Sequence, residues 1–119
     1  MADKHLKEMT FATRAVHAGT EHNPVNGGII TPIDLSTTHA QISPANFVSC
    51  YDYQRCGAPT AMAFQRKIAS LEGTKYCLAF RSGLAAIVSV ITMLKKGDHM
   101  LCIDDMYAGV ERYLRDIHT

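Results

Sequence analysis

Two kinds of apolar pattern alternate along this chain. Ala61, Phe64, Ile68 and Leu71 recur at spacings of three and four between Pro59 and Gly73, which predicts an amphipathic helix covering one side of a core. Tyr76 to Phe80 is a short continuous apolar run, the pattern of a buried strand, and His99 to Ile103 reads as a second short strand. Leu84 to Leu94 is apolar almost all round, so a buried helix is expected there, closed by Lys95, Lys96 and Gly97. A further helix is expected from Val110 to Ile117, after Asp104 and Asp105 end the second strand.

Upstream the pattern is looser. Thr10 to His17 reads as two helical turns capped by Thr10 and ended by Gly19, preceded by a mobile tail of about nine residues. Thr20 to Gly28, with Asn23-Pro24 and Gly27-Gly28, is a loop by turn chemistry. Ile29 to Thr38 is rich in β-branched residues but holds Pro32, which predicts an extended arm rather than a central strand, with a neighbouring subunit as one surface it could pack on. Gln41 to Gly57 shows no convincing periodicity, and long irregular loops in compact proteins are often functional.

Strands alternating with helices predict an α/β fold with a mostly parallel sheet and helices on both faces. In such sheets ligands sit beyond the carboxyl ends of the strands, where Arg81-Ser82-Gly83 and Asp105-Met106-Tyr107 fall. Two strands do not make a stable sheet, and the chain stops at Ile117-His118-Thr119 with no cap. The expectation is therefore the front portion of a larger protein, truncated, with residues 1–58 as tail, arm and inter-subunit loop and 59–119 as the first part of a ligand-binding domain. Such a piece alone would be aggregation-prone or molten.

Composition narrows the partners. The 119 residues are 47% hydrophobic and 19% charged, as in globular chains, with a net charge of +1. That charge leaves no electrostatic footprint for nucleic acid or an anionic membrane. Cys50, Cys56, Cys77 and Cys102 form no C-x-x-C pair, which suits a reduced, cytoplasmic compartment. The first eight residues mix charges without an apolar segment, and no run approaches membrane-spanning length.

Ser82 and Gly83, between an apolar run and a helix, supply a cap and a residue without a side chain. Free amides and the positive end of the helix dipole would face whatever lies above the turn, and a phosphate is the usual occupant. An ordinary strand-to-helix turn capped by Ser82 fits the same residues. Asp104 and Asp105 invite a metal or acid–base role, but ending the strand and capping the next helix is the better reading, and no metal site is expected. There is neither G-x-x-x-x-G-K-[ST] nor G-x-G-x-x-G to support a nucleotide-binding domain.

Tyr53-Gln54-Arg55-Cys56-Gly57-Ala58-Pro59-Thr60, Leu71-Glu72-Gly73, Ser82-Gly83-Leu84-Ala85-Ala86, Lys96-Gly97-Asp98, Tyr107-Ala108-Gly109 and Arg112-Tyr113 together resemble the amino-terminal third of the cystathionine γ-lyase and γ-synthase group. These are pyridoxal-phosphate enzymes of cysteine and methionine metabolism. Thr13 to Gly19 and Pro32 to Thr38 are similar to that family's opening segment, so the resemblance runs from Phe11 onward. Tyr76 to Phe80 and Asp104 to Tyr107 are most similar to its γ-lyase branch. The implied fold is the start of the PLP-dependent transferase large domain, the aspartate aminotransferase fold or fold type I.

The resemblance also implies roles. Gly83 and Leu84 match backbone amides that hold the phosphate of pyridoxal 5'-phosphate, with Ser82 beside them. Tyr53 and Arg55 match a pair reaching that phosphate from the neighbouring subunit, and the tyrosine in the family also assists proton movement near the leaving group. Tyr107 matches the aromatic residue stacked on the pyridine ring, which with Tyr53 makes the catalytic pair. Arg112 matches an arginine near the distal group of the amino-acid substrate, although Arg115 lies one turn on. The family implies a homodimer at least, commonly a tetramer.

Ala58 stands where the family usually has asparagine, Ala108 and Val110 replace glycine and threonine, and Arg81 replaces a small residue; all four bear on local geometry. The family's cofactor-bearing lysine and the carboxylate on the pyridinium nitrogen lie downstream of Thr119, and Lys75, Lys95 and Lys96 flank secondary structure as solvated charges do. A complete protein is expected to cleave cystathionine to cysteine, 2-oxobutanoate and ammonia. A cystathionine γ-synthase, a methionine γ-lyase, and a non-catalytic product that only associates with full-length subunits are the alternatives.

Overall fold

The computed structural model describes residues 8–117, in two compact units, one running to Ala79 and the other from Phe80. The first unit holds helix α1 (Phe11–His17), strands β1 (Gln41–Ser43) and β2 (Asn46–Phe47), and helix α2 (Pro59–Leu71). The second holds helices α3 (Gly83–Ile91) and α4 (Ala108–Asp116).

Helix α1 starts as its sequence predicts, with the Thr10 hydroxyl accepting the Thr13 amide at 3.3 Å. It packs against α2 in antiparallel fashion, and each helix supplies a cation to the carbonyl end of the other. Arg14 Nη1 donates to Ser70 O, and Lys67 Nζ donates to Val16 O at 3.2 Å. Both cations sit at the negative end of a helix dipole, where they are favoured. Gly19 follows α1 with φ +71°, and a Cβ there would run into Ala63 O, so glycine is required for both its backbone and its contact. Ala18, Ala58 and Ala69 are the buried apolar residues of this unit. Helix α2 ends as predicted on Gly73, φ +66°, with the Thr74 amide donating to Ala69 O at 2.9 Å.

The arm is extended and carries no ladder over Ile29 to Thr37. It lies on α2, where the Thr60 hydroxyl accepts from Asp34 N at 2.8 Å and donates to Pro32 O at 3.1 Å. The stretch expected to be irregular holds a small antiparallel hairpin, β1 with β2. Its turn, Pro44-Ala45, puts Ala45 at φ 61°, a position a periodicity search does not register. The hairpin's base is clipped by a bridge between Thr38 and Tyr53, with His39 N donating to Asp52 O and Gln54 N to Thr37 O, each at 2.8 Å.

In the second unit, three expectations are corrected. Tyr76 to Phe80, which leads into it, and His99 to Ile103 form no strand and pair with nothing among the described residues, since a ladder needs a neighbouring strand and neither segment has one. Their apolar side chains are accordingly exposed, Leu78 at 74% and Leu101 at 91%. Helix α3 stops at Ile91, not Leu94: the Met93 and Leu94 amides turn to i−3 acceptors, Val90 O and Ile91 O, in a tightened last turn. Nor is α3 buried all round. Ile91 is buried, but Ile87 and Val90 are exposed, because only α4 packs on it within the unit.

Helix α4 begins two residues earlier than expected, on the carbonyl of Tyr107, which accepts from Val110 N at 2.8 Å and Glu111 N at 3.2 Å. Neither aspartate caps it; Asp104 Oδ1 accepts instead from Asp105 N at 2.8 Å. The helix closes at Asp116, with Ile117 N donating to Tyr113 O, instead of running on. Most of the expected tail, residues 1–7, and His118 and Thr119 lie outside the described residues.

Candidate functional site

The start of α3 is built from its first residues. Ser82 is extended, φ −150° and ψ 153°, and its Oγ accepts the Ala85 amide at 3.1 Å while its carbonyl accepts the Ala86 amide at 3.2 Å. Ser82 is thus the N-cap, and its hydroxyl is engaged by the helix. The amides of Gly83 and Leu84 come before the first ladder bond and have no acceptor in the helix. A Cβ on Gly83 would meet nothing within 4 Å, so the space on that side of Gly83 is open. No acidic side chain stands in the first turn to compete for them, and exposed Arg81 precedes it. Chemically this is an anion seat: two free N–H donors, the positive end of a helix dipole, and a nearby cation.

The other second-unit residues stand on α4. Tyr107 is the N-cap through its backbone, and the residue is 71% exposed. That ring lies along the first turn of the helix, close to Gly109: a Cβ built there would be 2.5 Å from Tyr107 Cε1 and 3.2 Å from Cδ1 and Cζ. Glu111 and Arg115 form an exposed i,i+4 pair at 3.0 Å, and Arg115 Nε also reaches Asp116 at 2.9 Å. Arg112, between them in sequence, is exposed and makes no ion pair among the described residues. Of the two arginines Arg115 is held by its own helix and Arg112 is available. Val110, where the sequence departs from the family pattern, is buried as the apolar anchor of α4.

Tyr53 and Arg55 belong to the first unit and stand together at the base of the clipped loop. The Cys56 and Gly57 amides both donate to Tyr53 O, at 2.9 and 3.0 Å, which bends the chain so that Arg55 Cζ lies 4.6 Å from the centroid of the Tyr53 ring. This cation–π contact pre-orients the guanidinium, whose N–H groups have no hydrogen-bond partner among the described residues. Ala58 caps α2 without a side-chain hydrogen bond, so the loop enters the helix uncapped.

Two polar groups nearby are perturbed. Asp34 is held below the ordinary carboxylate value, first by the backbone amide of Ser36 at 2.7 Å and then by the Ser36 side chain. Tyr51 is pushed up, first by burial and then by neighbouring Cys50, with Arg66 acting in the opposite direction. The Tyr51 and His39 rings are 5.6 Å apart and tilted. Sequence reasoning gave no role to Thr60, which fixes the arm, or to Gly109; the first carried no periodic signal, and the second lay inside the Tyr107-Ala108-Gly109 motif as a bare glycine.

Residues 12–119 match the family model described as Cys/Met metabolism PLP-dependent enzyme. The chain belongs to this family. Among its relatives, human cystathionine gamma-lyase is 44% identical over 108 residues, which are 90% of this chain and 26% of that protein. A Herpetosiphon aurantiacus protein named "Probable cystathionine gamma-synthase" is 42% identical over 109 residues, 92% of this chain and 34% of that one. The crystal structure of metB from Corynebacterium glutamicum superposes with a TM-score of 0.88 at 39% identity, over 95% of this chain and 30% of that chain. This chain therefore spans about a quarter to a third of the length of the relatives it matches. The fold class expected from the sequence, the start of the PLP-dependent fold type I large domain, is borne out by this likeness, although Tyr76 to Phe80 and His99 to Ile103 are unpaired among the described residues.

Pyridoxal phosphate is the cofactor of the family. The residues present fit its phosphate end, since the amides of Gly83 and Leu84 have no acceptor among the described residues, the space beside Gly83 is open and the first turn of α3 holds no carboxylate. Among the described residues no helix is long and apolar enough to cross a membrane.

Proposed function

We propose that the whole protein to which this chain contributes is a PLP-dependent carbon–sulfur lyase that cleaves cystathionine. With one water consumed, the products are cysteine, 2-oxobutanoate and ammonia. The observation that carries this reading is the 44% identity to human cystathionine gamma-lyase across 90% of the chain, with the anion seat at the start of α3 in its support.

When bound, the cofactor draws electron density from the Cα–H bond of an amino-acid substrate. The chain's own residues do the rest of the work described here. The Gly83 and Leu84 amides bind the phosphate, with the helix dipole behind them. Tyr107 would offer its flat face to the pyridine ring, limiting ring movement and excluding water from that side. Arg55, oriented on the Tyr53 ring, reaches the phosphate of a neighbouring subunit's site, and the Tyr53 hydroxyl holds a proton near the leaving sulfur. Arg112 receives the distal carboxylate of the substrate. A site shared in this way requires a homodimer at least, with a tetramer as the assembly expected from the family resemblance. The cytoplasm is the proposed compartment.

Likeness to the Herpetosiphon protein favours a second reading, a cystathionine γ-synthase that joins cysteine to an O-acylhomoserine. The polypeptide read through the downstream coding sequence separates the two. Release of 2-oxobutanoate from cystathionine faster than condensation of cysteine with O-acylhomoserine supports the lyase. Condensation without cystathionine cleavage would overturn it.

A further inference from the structure

We propose that Gly109 is the positioning residue of Tyr107: the missing side chain at 109 is what lets the ring lie along the first turn of α4 in the orientation that receives the cofactor. The inference rests on the reading of Tyr107 as the ring that faces pyridoxal phosphate. Its basis is steric. A Cβ at 109 would be 2.5 Å from Tyr107 Cε1 and 3.2 Å from two more ring atoms, distances at which one group has to move. The backbone of Tyr107 cannot be the part that moves, because its carbonyl holds the Val110 and Glu111 amides and so starts the helix. Tyr107 is exposed, so its ring can swing into solvent. Any side chain at 109 therefore displaces the ring and leaves the helix intact.

Gly109 is also not needed for backbone reasons. It is absent from the glycines with positive φ, which are Gly19, Gly27, Gly73 and Gly97, and it sits inside a helix, where glycine is the poorer former. A structural role would thus favour alanine at 109, whereas the positioning role forbids it, and this opposition makes the inference testable.

In the whole protein, the Gly109 α-protons should show nuclear Overhauser contacts to the Tyr107 ring protons, and Tyr107→Leu should remove them. Also in the whole protein, Gly109→Ala should leave the melting temperature unchanged or raised while weakening the dissociation constant for pyridoxal phosphate roughly three- to tenfold, the range of one lost aromatic contact. Tyr107→Leu should weaken it to the same extent, and the double variant no further. Absence of Overhauser contacts between the Gly109 α-protons and the Tyr107 ring would overturn the inference and leave the reading of Tyr107 in place. So would unchanged affinity in Gly109→Ala beside reduced affinity in Tyr107→Leu. Unchanged affinity in Tyr107→Leu would overturn the reading itself, and the inference with it.

Discussion

Thr60 and Asp34 join the arm to the first turn of α2: the threonine Oγ1 accepts the Asp34 amide at 2.8 Å. The same hydroxyl donates to Pro32 O at 3.1 Å, so one side chain fixes a segment that has no ladder of its own. Thr60→Val keeps the shape and removes both bonds. The expected cost is about 1–2 kcal/mol, two ordinary hydrogen bonds with a part-buried amide left without a partner. Urea unfolding measures it, and limited proteolysis should cut between Ile29 and Thr38 faster in the variant. An unchanged cleavage rate would mean that the arm is held elsewhere.

The contact between α1 and α2 depends on Gly19, and a second glycine separates the two reasons. Gly19 and Gly27 have the same φ, +71° and +72°, but a Cβ at 27 would meet nothing within 4 Å, whereas one at 19 meets Ala63 O. Gly27→Ala should cost about 1 kcal/mol, the price of a left-handed alanine. Gly19→Ala adds the displacement of α2 and should cost at least about 2 kcal/mol. Chemical denaturation of the two variants side by side checks this, and equal losses would refute the close approach.

The cap of α3 and the anion seat can be separated in the same way. Ser82→Ala removes the acceptor of the Ala85 amide and should destabilise by about 1 kcal/mol. Ser82→Asp restores an acceptor and keeps stability, but sets a carboxylate beside the Gly83 and Leu84 amides. Affinity for pyridoxal phosphate or inorganic phosphate should fall in Ser82→Asp even though the helix is well capped, and isothermal titration reads it. Retained affinity in Ser82→Asp would remove the start of α3 from the phosphate site.

What the sequence revealed divides along a physical line. Local signals were legible: the Thr10 and Ser82 caps, Pro59 at a helix start and Gly73 past its end all depend on residues within one turn of each other. The position of the anion seat followed from the same kind of signal. Features requiring a distant partner were not legible, or were misjudged. Tyr76 to Phe80 and His99 to Ile103 have strand composition, yet strand pairing depends on a neighbour that the segment itself does not encode. The apolar girdle of α3 announced burial, but burial is supplied by what surrounds a helix, and Ile87 and Val90 are exposed. The Thr60 clasp joins positions 26 and 28 residues apart, and no periodicity records it. The start of α4 at Ala108 was missed because the cap is a backbone carbonyl, a group every residue has.

The two perturbed groups near the clipped loop set opposite pH limits. Asp34 is lowered by the Ser36 hydrogen bonds, so the folded state binds its proton less readily than the unfolded chain does. Its stabilising effect is present above the ordinary carboxylate value, near 3.8, and is lost as pH falls through the lower folded value. Asp34→Asn should therefore flatten the acid limb of stability against pH. Tyr51 is raised, chiefly by burial, so the folded state keeps its proton longer than the unfolded chain. Stability is unaffected by this residue below about 10 and is lost as pH rises from there through the folded value, since the unfolded phenol ionises first. Tyr51→Phe should remove that alkaline loss and leave the acid limb unchanged. Urea midpoints across the pH range test both, and an alkaline limb identical in Tyr51→Phe and the unaltered protein would show that Tyr51 is as well solvated folded as unfolded.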